Sequence, residues 1–229
     1  MKKKLTYFSL LFLSILGFSQ TVPIITEFRL KFANEKIDFR YRPIFYFQNN
    51  TNMRRELFLG YTFNENTKLF SYTRYNDYQK KLYTGLRFDH KIVLNKLSLN
   101  NQFRYLNNLQ DPSNDVFIYI PDLLYSFPKG IKAGLRGFIT YSNGTGSFVN
   151  KKAYIGPALI VNRGPLIFFT TFLPDQRANS IDYLMMFLFI LKLTRNLSFN
   201  PSLFLLNSAS NWTCPKIRVD WVVKNKINM

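Results

Sequence analysis

The 229-residue chain has one cysteine, Cys214, and one histidine, His90. A lone thiol excludes an internal disulfide. One His, one Cys and 13 acidic residues leave no cluster of metal-ligating side chains, so no metal and no cofactor are expected. Long hydrophobic runs are also missing beyond the N-terminus. The stretch "YLMMFLFIL" at 183–191 is nine residues long. A helix crossing a bilayer needs about 20 residues, whereas a tilted crossing strand needs about 9–11. Only helices and closed barrels satisfy their backbone in lipid. If the chain enters a membrane, it therefore does so as a barrel. Acidic residues are scarce against 31 Lys and Arg, giving a formal charge of +18. Basic and aromatic together suit nucleic acid. The N-terminus argues for export, which turns the expectation toward anionic lipid head groups or an anionic solute and away from nucleic acid.

That N-terminus reads "MKKKLTYFSLLFLSILGFSQ". Three lysines precede an apolar stretch, Leu5 to Phe18, and Gly17-Phe18-Ser19 puts small residues at its end. This is the order of a secretory signal peptide, predicted to span 1–19 with Gln20 as the new terminus. No cysteine stands at the cleavage point, so a lipoprotein is not expected.

The remainder reads as strands: β-branched and aromatic residues dominate and no helix-capping pattern recurs. Twelve strands are expected between 37 and 225, many of about ten residues, and their connections alternate in length. Short ones include "NK" 95–96, "PKG" 128–130, "RG" 163–164 and "RN" 195–196. Longer ones include 48–53, 110–115, "SNGTGSFVNK" 142–151 and 175–180. Faces alternate too. Ile37, Phe39 and Tyr41 oppose Asp38, Arg40 and Arg42. Leu97, Leu99, Phe103 and Tyr105 oppose Ser98, Asn100, Gln102 and Arg104. Ile217, Val219, Trp221 and Val223 oppose Lys216, Arg218, Asp220 and Lys224. A period of two with one apolar and one charged face is the pattern of a membrane barrel.

Signal peptide, alternating strands and long–short connections resemble those of bacterial outer-membrane β-barrel proteins, and the Asn-, Lys- and Phe-rich wording is similar to small barrels of that class. The resemblance is one of pattern across the mature chain. One departure is the ending "NKINM", where many such barrels end in an aromatic residue. The resemblance implies an all-β, transmembrane antiparallel β-barrel in the bacterial outer membrane. Its organisation would be a signal peptide at 1–19, an N-terminal segment at 20–36 and the barrel at 37–229. Both chain ends would then lie in the periplasm. Residues 20–36 could add a periplasmic strand, plug the lumen or pair with the barrel.

Two basic sets stand out. Arg40, Arg42, Arg87, Lys91, Arg104, Lys132, Arg136 and Arg218 fall on the inner face and form a basic lumen lining, interleaved with Asp38, Asp89 and Asp220. Such residues either select anions or satisfy each other across neighbouring strands. Arg54, Arg55, Lys80, Lys81, Lys151 and Lys152, with Arg177 nearby, sit where strands leave the longer loops. There they are candidates for lipid phosphate contact with outer-membrane lipid and lipopolysaccharide. Toward the C-terminus the inner face turns apolar, with Tyr154, Ala158, Ile160, Leu166, Phe168, Phe172, Leu184, Met186, Leu188 and Ile190 expected inside. A lumen filled by its own side chains, an apolar ligand and a packed partner each fit that wall.

His90 falls on the lipid face with Phe88 and Ile92, while Asp89 points the other way. A catalytic triad needs the base in contact with a nucleophile, and no serine is offered, so no enzyme is expected. Three functions remain: a narrow or plugged channel for small, anionic solutes; a non-conducting structural or lipid-binding barrel; and a lipid-modifying barrel enzyme.

Overall fold

A segment that alternates apolar and charged residues satisfies both of its faces only as a strand between unlike environments. Thirteen such strands form in a computed structural model that describes residues 24–34, 36–48, 50–77, 80–111, 115–143, 148–176, 182–207 and 212–224. They are β1 (Ile24–Ala33), β2 (Ile37–Gln48), β3 (Asn50–Asn64), β4 (Thr67–Asn76), β5 (Lys81–Leu94), β6 (Leu97–Asn108), β7 (Val116–Phe127), β8 (Ile131–Asn143), β9 (Phe148–Arg163), β10 (Leu166–Pro174), β11 (Tyr183–Lys192), β12 (Leu197–Asn207) and β13 (Trp212–Lys224). The expected signal peptide, 1–19, and Arg177 lie outside the described residues.

Every strand pairs antiparallel with its sequence neighbours, and β1 pairs with β13 to close the sheet into a barrel. Closure leaves no unpaired edge. The strand count is thirteen where the sequence suggested about twelve. The additional strand is β1, which comes from the segment 20–36: of the three places open to that segment, residues 24–33 take the barrel wall. "TEFRLKF" carries the same period of two as its neighbours, with Glu27, Arg29 and Lys31 on one face and Phe28, Leu30 and Phe32 on the other.

An odd number of alternating strands makes the first and last parallel. The seam runs parallel from Ile25 opposite Lys216 to Ala33 opposite Lys224. The wall is thus not antiparallel throughout. Ile24 and Lys224 also lie at opposite mouths, which corrects the expectation of both ends on one side. The mouth near Lys224 carries the uniformly short connections, 34–36, 65–66, 95–96, 128–130, 164–165 and 193–196. The last residues before β10 include Gly164 at φ +60°, a left-handed position that glycine adopts without steric cost. The other mouth carries 77–80, 109–115, 144–147, 175–182 and 208–211, together with the single residue 49 between β2 and β3. The loop expected at 48–53 is largely absorbed into those two strands.

One longer connection is clipped by Asp115. Its carboxylate accepts the Tyr105 hydroxyl at 2.6 Å, the Asn108 amide at 3.0 Å and Asn107 Nδ2 at 3.0 Å. Burial works to raise the Asp115 pKa, but these donors hold the carboxyl below the usual carboxylate range.

The two faces of the wall are inverted relative to a soluble protein. Outward side chains are large and apolar: Leu94 is 67% exposed, Phe63 59%, Trp221 57% and Leu59 56%. Aromatic rows cross neighbouring strands on this face, from Phe88 to Phe103 to Phe117 to Tyr141 at centroid spacings of 6.1–6.3 Å. Inward side chains include the charged residues, and the barrel interior is packed. Ile44, Phe70, Glu27, Asn108 and Asn200 are fully buried. Phe58, Phe70, Tyr72 and Leu106 form one inner cluster. Gly60 makes room for it, because a Cβ there would come within 2.3 Å of the Phe70 ring.

If β1 is a wall strand, cysteines at Phe28 and Val219, which are register partners across the parallel seam, will crosslink in a Cys214→Ser background. Strands roughly 4.8 Å apart place the pair within disulfide reach. The oxidised protein should run as a reducible, shifted band on a denaturing gel. Two free thiols in folded, oxidised protein would place β1 outside the wall.

Candidate functional site

A carboxylate facing the inside of a packed barrel cannot keep its hydration shell, so it must be met by cations or hydrogen-bond donors. The inner face of this barrel is arranged around that requirement. Glu27 on β1 accepts Arg42 from β2, with Arg42 Nη2 3.1 Å from Glu27 Oε2. It is also paired with Lys216 from β13 and lies 3.4 Å from Arg29 Nη2. Arg42 continues to β3, where its Nη1 is 2.9 Å from Glu56 Oε2. Glu56 in turn takes Arg54 at 3.1 Å and Arg74 of β4 at 3.2 Å. Both carboxylates are buried, at 0% and 2% exposure. One continuous array therefore joins β13, β1, β2, β3 and β4 across the closing seam.

Smaller units repeat the theme around the wall. Asp38 receives Arg40 at 2.7 and 2.6 Å and Lys31 at 3.2 Å. Asp89 receives Arg87 at 2.8 and 2.6 Å. Asp220 receives Arg218 at 3.1 Å and Asn200 at 2.9 Å. Arg104 donates to Gln102 at 2.9 Å, and Arg136 Nε lies 3.3 Å from Asp122 Oδ1. Arg40 and Arg87 both sit over the buried Phe70 ring, at 4.6 and 5.2 Å from its centroid. The ring's negative face attracts both guanidinium groups and keeps them beside the carboxylates they bind.

The predicted lumen lining is thus brought together on one inner face, and six of its eight residues are engaged with inner-face acceptors: Arg40, Arg42, Arg87, Arg104, Arg136 and Arg218. Lys91 and Lys132 face the same interior, and neither forms an ion pair among the described residues. The loop-exit set divides. Neighbours on a strand point to opposite faces, so a basic dipeptide cannot present both charges to one side. Arg54 turns inward to Glu56 and lies over Tyr46, while Arg55 faces out and pairs with Asp77 at 3.5 Å. Lys81 and Lys152 belong to the inner face, Lys152 over Tyr154. Lys80 is exposed in its turn. The side chain of Lys151 lies outside the described set.

The apolar wall is real but one of its strands is turned over. Ala158, Phe169 and Leu124 form a buried cluster with Ile160, Met186 and Leu188 against it. In β10 the inward residues are Ile167, Phe169, Thr171 and Leu173, so Leu166, Phe168 and Phe172 face out rather than in. The register decides this: the turn at Gly164 and Pro165 sets Phe169 opposite Ile160 and Leu188. A shift of one residue in register exchanges the two faces of a strand.

His90 stacks with Phe88 on the outer face at 6.1 Å, and its Nδ1 is 3.1 Å from Thr67 Oγ1. No protein-family model matches the chain, and no curated protein sequence is similar to it.

At the short-turn mouth the inner wall opens into a polar cavity of about 290 Å³, lined by Lys68, Lys91, Asp89, Asn100, Gln102, Asp122 and their neighbours. Sequence reasoning did not find this cavity, nor Glu27, Glu56, Arg29, Lys31, Arg74 and Asp122 as members of the charged wall. The signal was present in the alternation of "EFRLK", "RELFL" and "YTRYN". It pointed to the face but carried no information about which strands meet across the seam.

Removing Arg42 takes away the cation that Glu27 and Glu56 share, leaving Lys216 and Arg29 on Glu27 and Arg54 and Arg74 on Glu56. Arg42→Ala should lower the unfolding free energy by about 1.5–3 kcal/mol, read as a fall in the urea midpoint of folded protein in detergent micelles. Arg42→Lys keeps the charge but loses the two-sided fork, and should fall between Arg42→Ala and the parent. A midpoint unchanged in Arg42→Ala would mean that Arg42 does not hold the seam.

Proposed function

We propose that the protein is a bacterial outer-membrane β-barrel whose lumen is filled by its own side chains. On this reading it is a closed structural or lipid-associated barrel at rest rather than an open pore. The observation that carries the membrane placement is the inverted wall: large apolar side chains cover the outside, and ion-paired arginines and carboxylates occupy the inside. A soluble barrel gains from the reverse arrangement, since exposing such a belt to water costs about 25 cal/mol for each Å². Strands of 9 to 16 residues suit a bilayer crossing. By the usual polarity of such barrels, the short turns face the periplasm and the longer connections face out.

The closed lumen rests on burial. Residues lining a water-filled pore keep solvent access, yet Ile44 and Phe70 are fully buried though they face inward. A narrow anion-selective path is the second reading, supported by the excess of cations on the inner face. No catalytic role is proposed, because His90 lies with Phe88 on the outer belt. The exposed charge of Lys80, and of Arg55 beside Asp77 of the same 77–80 connection, supports contact with lipopolysaccharide phosphates as part of this reading.

Two measurements test the reading. Trp221 fluorescence, in a Trp212→Phe background, should be quenched when the refolded protein is placed in vesicles of brominated lipid. Absence of quenching in folded protein would remove the membrane placement. In a planar bilayer under a salt gradient, the folded protein should give no steady conductance. Steady current with an anion-directed reversal potential would replace the closed barrel by the narrow channel.

A further inference from the structure

We propose that the cavity at the short-turn mouth is a binding site for a small soluble oxyanion, a phosphate or carboxylate, held by Lys68 and Lys91. This goes beyond the reading of a closed barrel and does not require conduction.

The argument begins with the register. Lys68 on β4 stands opposite Asp89 on β5, and Lys91 follows two residues later on the same face. The two lysines are therefore diagonal neighbours, roughly 7–8 Å apart at their backbones. That spacing lets two flexible ammonium groups converge on one anion. Lys91 and Asp89 continue sideways to Asn100 and Gln102 on β6, and these to Asp122 and Ile120 on β7. The cavity floor is thus two successive rows of one ladder, built on rigid wall rather than on loop.

The charges do not cancel within the site. Asp89 is occupied by Arg87 at 2.6 Å, and Asp122 has Arg136 at 3.3 Å. Arg40, which also reaches the cavity, is held by Asp38. Glu65 lies exposed in the turn at the rim. Among the described residues, Lys68 and Lys91 form no ion pair. Gln102 accepts from Arg104 through its carbonyl oxygen, which leaves its amide N–H groups as donors, and Asn100 adds a further amide beside it. Two uncompensated ammonium groups with amide donors on a concave wall are the chemistry that recognises a phosphate or carboxylate. The volume of about 290 Å³ admits a small solute, and the closed wall separates it from the apolar outer face.

The test uses the full mature chain refolded in a phosphate-free detergent, with inorganic phosphate titrated calorimetrically. Saturable binding is expected, and Lys68→Gln/Lys91→Gln should weaken it by about tenfold or more. Lys96→Gln removes the same charge from the same mouth outside the cavity, and should leave the affinity unchanged. Retained heat modifiability on gels shows that each variant is folded, so loss of the site is distinguished from loss of the barrel. Two results overturn the proposal: no phosphate binding by folded parent protein, or equal binding by the double variant. Repeating the titration in phosphatidylglycerol vesicles separates the sources of phosphate. Binding that survives there belongs to a soluble ion, whereas binding seen in detergent and lost in those vesicles would assign the site to a lipid head group instead.

Discussion

The structure depends on one buried arrangement: Arg42 held between Glu27 and Glu56. These three residues stand on β2, β1 and β3, and Lys216 adds β13. A parallel seam has slightly less favourable backbone pairing than an antiparallel one. Here the weakest joint of the barrel is the one that side-chain charge reinforces. Neither carboxylate could remain ionised in a packed interior without these partners, and the partners could not sit there without the carboxylates. The array therefore ties the register of the first strands to the register of the last.

Around this joint the wall follows a simple division. Large apolar residues cover the outside, and the inward arginines meet acceptors on the inner face. The interior nevertheless has two characters. From β1 to β6 it is a lattice of arginines and acids, partly stacked on Phe70. From β9 to β11 it is packed hydrocarbon, joined to Leu124 of β7. One half pairs charge and the other fills space. At the short-turn mouth a polar cavity remains, and there the pairing of charges is incomplete.

The barrel and the identity of its faces could be read from the period of two, because alternation in a strand maps directly onto inside and outside. Arg40, Arg42, Arg87, Arg104, Arg136 and Arg218 were legible in this way. The first strand was harder to read: it follows a segment with its own explanation, so its alternation in "EFRLK" went unused. The inward set of β10 was also illegible, since "LIFFTTFL" is apolar at both parities. A pattern with no polar face contains no mark of which residues turn inward.

Length and alternation in the chain were enough to decide that it forms strands, that these strands are two-faced, and that charge lies on the covered side. Such properties are local, set by which neighbours share a face. The closure through β1, the placement of Ile24 and Lys224 at opposite mouths, the turning of β10 and the split of Arg54 from Arg55 were decided only by the assembled barrel. Each depends on register between strands, and for the seam the partners are separated by nearly the whole chain. The two lysines of the cavity belong to both levels: their faces follow from alternation, but their freedom from carboxylates follows from which arginines claimed Asp89 and Asp122 in the closed wall.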